Sequence, residues 1–224
     1  LFLFIDIIEF TDPINTIIFG IIFEMIIYFN FAGISLMIYG SLGIIGLLVP
    51  LNFRQPFSSR NIIEYWQSWH VSLSRCLKSI FYKKSKNLMG IYSAIFIVFI
   101  SSALWHGYSY NFLIWGIFHA SLFSLSLVLL KRKMVLLPFI IGIIGIIIGR
   151  VIFGDENIFR LVDRFLFNYD DLIFKHYLAV PINSYISLII GIIYIFIEFK
   201  AYNQREIIKN YKFLRRKNLL LIFV

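Results

Sequence analysis

The sequence predicts an all-α, polytopic membrane protein with a re-entrant amphipathic segment, and three observations carry that prediction. First, 60% of the 224 residues are hydrophobic, only 15% are charged, and the mean hydropathy is +0.84. Soluble domains are about 45–50% apolar and about 25% charged, and a particle this small cannot hide the excess in its interior. Second, apolar runs of helix length recur along the chain, too long and too unalternating for a barrel wall. Third, the net charge of +9 is gathered into basic clusters between those runs, which orients a membrane protein, rather than spread over a face that would meet nucleic acid. Intrinsic disorder is excluded as well, because it requires low hydrophobicity.

The elements follow in order. Leu1 to Phe10 is apolar but lacks a basic n-region, so it reads as the end of a further span in a chain that begins inside a longer protein, not as a signal peptide. A bilayer core about 30 Å thick needs about 20 apolar helical residues. Six runs of that order are present: Ile14 to Phe29 with Glu24, Phe31 to Val49, Leu88 to Leu104, Tyr110 to Leu130, Met134 to Phe153 with Arg150 near its end, and Val180 to Phe199. They predict about six spans in a single integral membrane domain over residues 1–224.

Between the second and third runs, Pro50 and Pro56 bracket a break in helix. From Asn61 to Tyr82, Ile62, Trp66, Trp69, Leu73, Cys76 or Leu77 and Ile80 recur at spacings of three and four, with Glu64, Gln67, Arg75 and Lys78 elsewhere. This spacing predicts an amphipathic helix too polar to span, which lies in the interface or dips into the membrane against protein.

Orientation comes from Lys and Arg. Arg54, Arg60, Arg75, Lys78, Lys83, Lys84 and Lys86 share one connection, Lys131 to Lys133 lie further on, and Lys200 begins a third cluster that runs to Lys217. All three fall on one side, the cytoplasmic one, if each of the last four runs crosses once. The acidic loop from Gly154 to Ala179 is then outside.

Candidate chemistry centres on histidine. His106 ends a charge-free run, where a titratable group is costly to desolvate. His70 sits on the amphipathic segment, His119 lies inside a run and needs a hydrogen-bond partner, and His176, in the acidic loop, takes no role. No Gly-x-Ser-x-Gly elbow surrounds Ser72, Ser74, Ser101 or Ser102, and no HExxH or equivalent metal spacing occurs. Cys76 is the only cysteine, so neither a disulfide nor a Cys-based metal site can form within the chain. What remains is histidine as general base toward a bound hydroxyl.

Four stretches occur in order: Pro50-Leu51-Asn52-Phe53-Arg54-Gln55-Pro56-Phe57, Tyr65-Trp66-Gln67-Ser68-Trp69-His70-Val71-Ser72-Leu73-Ser74, Leu104-Trp105-His106-Gly107, and Trp115-Gly116-Ile117-Phe118-His119. Together with Phe31-Ala32-Gly33-Ile34-Ser35 upstream, this set resembles the membrane-bound O-acyltransferase (MBOAT) family, in its bacterial branch of alginate O-acetylation and D-alanyl-lipoteichoic acid proteins, over about residues 31–120. The stretch from Gln67-Ser68 to Lys78-Ser79 departs from that branch, which has Arg before Trp-His and Arg-Asp after it.

The resemblance implies the C-terminal part of a longer MBOAT fold in the inner membrane, crossing it several times. It implies an enzyme that moves an acyl group, acetyl by preference, from a cytoplasmic thioester to a hydroxyl of an extracytoplasmic polysaccharide. The donor would be acetyl-CoA or an acyl carrier protein, with no bound cofactor and no metal. A periplasmic or extracellular acyltransferase partner would relay the group to the acceptor. His106 would be the catalytic base and His70 its companion, on a re-entrant segment. Trp69, Trp105, Asn52, Arg75 and His119 would be substrate contacts, and the three tryptophans Trp66, Trp69 and Trp105 would mainly pack or line a tunnel. A straight Leu88–Leu104 helix is about 25 Å long, so His70 can reach His106 only if it is carried into the membrane. Two other readings stay open: a non-catalytic scaffold for glycan modification, and a transport component. Transport would need charges paired at mid-membrane, and Glu24, Arg150 and Glu198 are isolated from one another in sequence.

Overall fold

A computed structural model describes residues 13–47, 49–155 and 182–200. The described residues form eight α-helices and no strand: α1 (Pro13–Ile44), a 3-10 turn (Pro56–Ser58), α2 (Ile62–Ser68), α3 (Val71–Leu77), a π-turn (Lys78–Tyr82), α4 (Lys83–Met89), α5 (Ile91–His106), α6 (Tyr110–Lys131), α7 (Leu136–Gly154) and α8 (Ile182–Lys200). By length and composition α1, from Thr16, together with α6 and α7 can each cross a bilayer, and α5 is a shorter apolar helix. The stretches Leu1 to Phe10, His176 and the cluster beyond Lys200 lie outside the described residues.

The first two expected spans are one helix. Ile14 to Phe29 and the second run as far as Ile44 form one helix, α1, 32 residues long. The predicted boundary at Asn30 rested on span length alone. Asn30 is exposed and keeps its backbone N–H, so it lowers helix propensity slightly without interrupting the ladder. The helix ends instead at Gly46, whose φ of 82° suits a residue without Cβ.

Close packing of α5, α6 and α7 follows from small residues. A Cβ on Gly116 of α6 would lie 3.0 Å from Ala103 Cβ and from Phe99 O of α5, and one on Gly145 of α7 would lie 2.3 Å from Leu122 of α6. Such sites let backbones approach where water gives no hydrophobic drive. The pairings are antiparallel, which gathers the lysines of α4, Lys131 to Lys133 and the start of α7 at one end. Phe139 of α7 meets Phe199 of α8 with ring centroids 6.0 Å apart, so Lys200 joins that same basic end. The arrangement agrees with a single crossing by each of these helices.

The amphipathic segment is not a single helix. Its first half, α2, starts with Asn61 capping Glu64 N at 3.0 Å and with Ile62 N beside Gly142 of α7. Its far end, Trp69, carries the Arg150 guanidinium 5.0 Å from its ring. Gly142 to Arg150 spans about 12 Å of helix. The chain therefore climbs α7 by that amount, turns at Trp69-His70 and descends through α3 and the π-turn to the lysines of α4. Ile62 and Tyr65 are buried by this insertion. Bonds from Arg54 N to Ser68 O at 3.0 Å and from Val71 N to Asn52 O at 2.8 Å tie the turn to the preceding loop, which satisfies backbone groups that lipid cannot.

Candidate active site

Inside this wrap lies a cavity of about 320 Å³ whose walls include His70 and His106. Ile91, Ile95, Val98, Phe99, Ser102 and His106 of α5 all line it, spacings that keep one helical face toward the space. Ile91 and His106 are the first and last residues of α5, so the cavity follows about 22 Å of helix from the basic end to the opposite end. Lys78 and Tyr82 stand on its wall at the basic end, with the Lys78 Nζ 5.5 Å from the Tyr82 ring centroid. A π-turn places them there, a local geometry often kept where helices serve a site.

His70 occupies the reversal between α2 and α3 in a left-handed conformation, φ 42° and ψ 56°, which a side-chain-bearing residue adopts at a cost. Asn52 holds it: Oδ1 lies 3.1 Å from His70 Nδ1, 3.1 Å from Ser72 N and 2.9 Å from Ser72 Oγ, while Nδ2 donates to Ser35 Oγ at 3.3 Å. The Ser72 backbone N–H can only donate, which fixes the amide oxygen toward the ring, so Nδ1 carries the proton and Nε2 keeps the lone pair. Phe31 packs edge-on to the imidazole at 4.6 Å. Burial, which disfavours the charged form, lowers the His70 pKa below its ordinary value.

His106 ends α5, where Gly107 at φ 155° turns the chain away and His106 is exposed at the end of the cavity opposite the basic residues. Phe153 of α7 packs edge-on to it at 5.0 Å and Trp115 of α6 at 5.7 Å. Trp115 and His119 belong to an aromatic group around Trp66, at 5.4 and 4.9 Å from its ring. Trp66 lines the cavity, and its buried indole N–H has no protein acceptor among the described residues.

The structure gathers some of the expected residues and separates others. Trp69 lines the cavity with the two histidines, and Asn52 stands directly behind His70. Arg75 is exposed on α3 and Trp105 is 69% exposed, and neither lines the cavity. His119 is buried away from it against Gly149 of α7, with its Nδ1 lacking a protein partner among the described residues. Lys78, three residues beyond Arg75, does stand on the wall.

Arg150 was not expected at the site. It is 6% exposed, lines the cavity, and is paired through Nε with Glu24 of α1, which also accepts from the Tyr65 hydroxyl. The isolation of Glu24 from Arg150 is thus confined to sequence, where 126 positions separate them. Glu198 is likewise engaged, accepting from Tyr28 Oη at 2.9 Å and Phe57 N at 2.8 Å. A charged group isolated within an apolar run is itself the signal that could have marked Arg150.

The sequence model of MBOAT, the membrane-bound O-acyltransferase family, matches residues 8–139. The chain is 32% identical over 140 residues to the probable alginate O-acetylase AlgI of Pseudomonas aeruginosa, covering 59% of this chain and 27% of that protein. It is 35% identical over 98 residues to the peptidoglycan O-acetyltransferase of Helicobacter pylori, covering 42% of this chain and 18% of that protein. It is 32% identical over 113 residues to the teichoic acid D-alanyltransferase of Bacillus subtilis, covering 46% of this chain and 29% of that protein. The chain thus spans under a third of the length of these relatives.

Proposed function

The chain belongs to the membrane-bound O-acyltransferase family, and on that premise we propose that it transfers an acyl group, acetyl by preference, from a cytoplasmic thioester to a hydroxyl of an extracytoplasmic polysaccharide, in the cytoplasmic membrane. The observation that carries this reading is the shared cavity: His70 and His106 face one space that follows the length of α5. A thioester entering at Lys78 and a hydroxyl entering at the outer mouth would meet beside His106. The donor would be acetyl-CoA or an acyl carrier protein, and a partner acyltransferase outside the membrane would complete delivery.

His106 takes the proton of the acceptor hydroxyl as its oxygen attacks the thioester carbonyl, which gives an ester without a covalent enzyme intermediate. A positioned base of this kind supplies about 10²–10⁴-fold. His70, held in one tautomer by Asn52, offers Nε2 as acceptor and orients the reacting groups. The mostly apolar wall excludes water, which protects the thioester from hydrolysis.

The test is transfer of labelled acetyl to surface glycan in membranes carrying the protein, with His106→Gln and His70→Gln beside wild type at equal protein level. Label in base-labile ester with wild type, lost in both variants, is the expected result. Equal ester content in all three would overturn the reading and favour a scaffold without catalysis.

A further inference from the structure

We propose that Arg150 is a third catalytic residue of this cavity, whose guanidinium binds the carbonyl oxygen of the transferred acyl group as negative charge develops on it. The inference rests on the acyl-transfer reading above and adds a residue beyond the family-matched stretch 8–139.

Its position is the main support. The guanidinium carbon lies 5.0 Å from the ring of Trp69, the neighbour of His70, and 5.5 Å from the ring of Phe153, which packs edge-on to His106. Arg150 therefore stands between the two histidines on the wall they share. A guanidinium carries five N–H donors; Nε donates to Glu24 and Tyr65 is a second partner, which leaves donors for a ligand. Glu24 and Tyr65 fix the fork from behind, and the two aromatic faces hold its plane, so the group is ordered before substrate arrives. Burying a charge pair among apolar helices gives little stability that apolar side chains could not supply. A preorganised cation facing a largely apolar cavity is, however, what a developing oxyanion requires.

The step balances as follows. The acceptor oxygen bonds to the thioester carbon while His106 takes its proton, and the carbonyl π pair moves onto the oxygen facing Arg150. That pair then re-forms the carbonyl, the C–S bond breaks, and sulfur leaves with the bonding pair and takes the proton from His106. A thioester and an alcohol become an ester and a thiol.

The experiment measures transfer kinetics per mole of folded protein in native membranes, with varied thioester donor. Arg150→Gln should lower kcat and kcat/KM together by about 10²–10³-fold, the signature of an interaction made only in the transition state. The double variant Glu24→Leu/Arg150→Met removes both buried charges without orphaning either, and should fold yet be equally slow. Arg150→Lys keeps the charge and loses the planar fork, and should fall between. Activity within about threefold of wild type in the folded double variant or in Arg150→Lys would overturn the proposal, as would a rise in donor KM with kcat unchanged. An inactive wild type would defeat the acyl-transfer reading and this inference with it, whereas active wild type beside equally active variants would defeat this inference alone.

Discussion

Asn52 Oδ1 sits 3.1 Å from Nδ1 of His70, across a hairpin of backbone that brings together residues 18 positions apart. The same oxygen accepts from both polar groups of Ser72, so one amide sets the tautomer of the imidazole and the shape of the turn that carries it. Removing that amide separates orientation from basicity. Asn52→Ala should lower acyl transfer about ten- to a hundredfold, as loss of a group that orients a functional histidine does. Initial rates and detergent melting curves on the same preparation check this, and the melting temperature should fall by far less than that of a core truncation.

Burial of His70 has a consequence for pH. Its folded pKa lies below the unfolded value of about 6.5, so below that pH the unfolded chain binds the proton more readily. Stability contributed by the neutral ring is therefore complete above about 6.5 and declines as pH falls below it. His70→Gln should flatten this part of the curve, read from melting temperatures of variant and wild type between neutral and mildly acidic pH.

Helix contacts at α7 are steric. Gly149→Ala would place a Cβ 2.1 Å from His119 Nε2, and the ring is boxed in by Trp66, Trp115 and Phe99. Overpacking of this sort costs about 1–3 kcal/mol. Gly40→Ala is the control: nothing lies within 4 Å, and the helix should gain about 0.5–1 kcal/mol. Thermal unfolding in one detergent distinguishes the two.

Glu198 anchors α8 to the loop before α2. Truncation in Glu198→Ala leaves Phe57 N and the Tyr28 hydroxyl without the carboxylate they now share, at about 1–3 kcal/mol for the buried Tyr28 donor and less for the half-buried Phe57 N–H. Limited proteolysis of the loop around Phe57 should accelerate in this variant relative to wild type.

Filling the cavity tests its route. Val98 lines the wall between Lys78 and His106, and Val98→Trp should block donor passage while His106 stays in place at the end of α5. Transfer should be lost with the protein still accumulating in membranes. Unchanged transfer would place the donor path elsewhere.

Composition alone determined that this chain is helical and membrane-embedded, because the apolar excess and the clustered basic residues leave no other solvent for it. The ordered motifs around Asn52, His70, His106 and His119 determined the family, since they are local strings that need no partner to be recognised. Tertiary structure decided the rest. Whether Asn30 ends a helix, whether Arg75 or Lys78 faces the cavity, and whether His119 lines it or packs behind it depend on which neighbours cover each face, and helical periodicity is silent about neighbours. Glu24 and Arg150, 126 positions apart, look like two unpaired charges until α1 and α7 are laid side by side. The pairing of charges and the enclosure of a cavity are properties of helix packing, and the small residues that set that packing, Gly116, Gly142, Gly145 and Gly149, carry no side chain to announce what they touch.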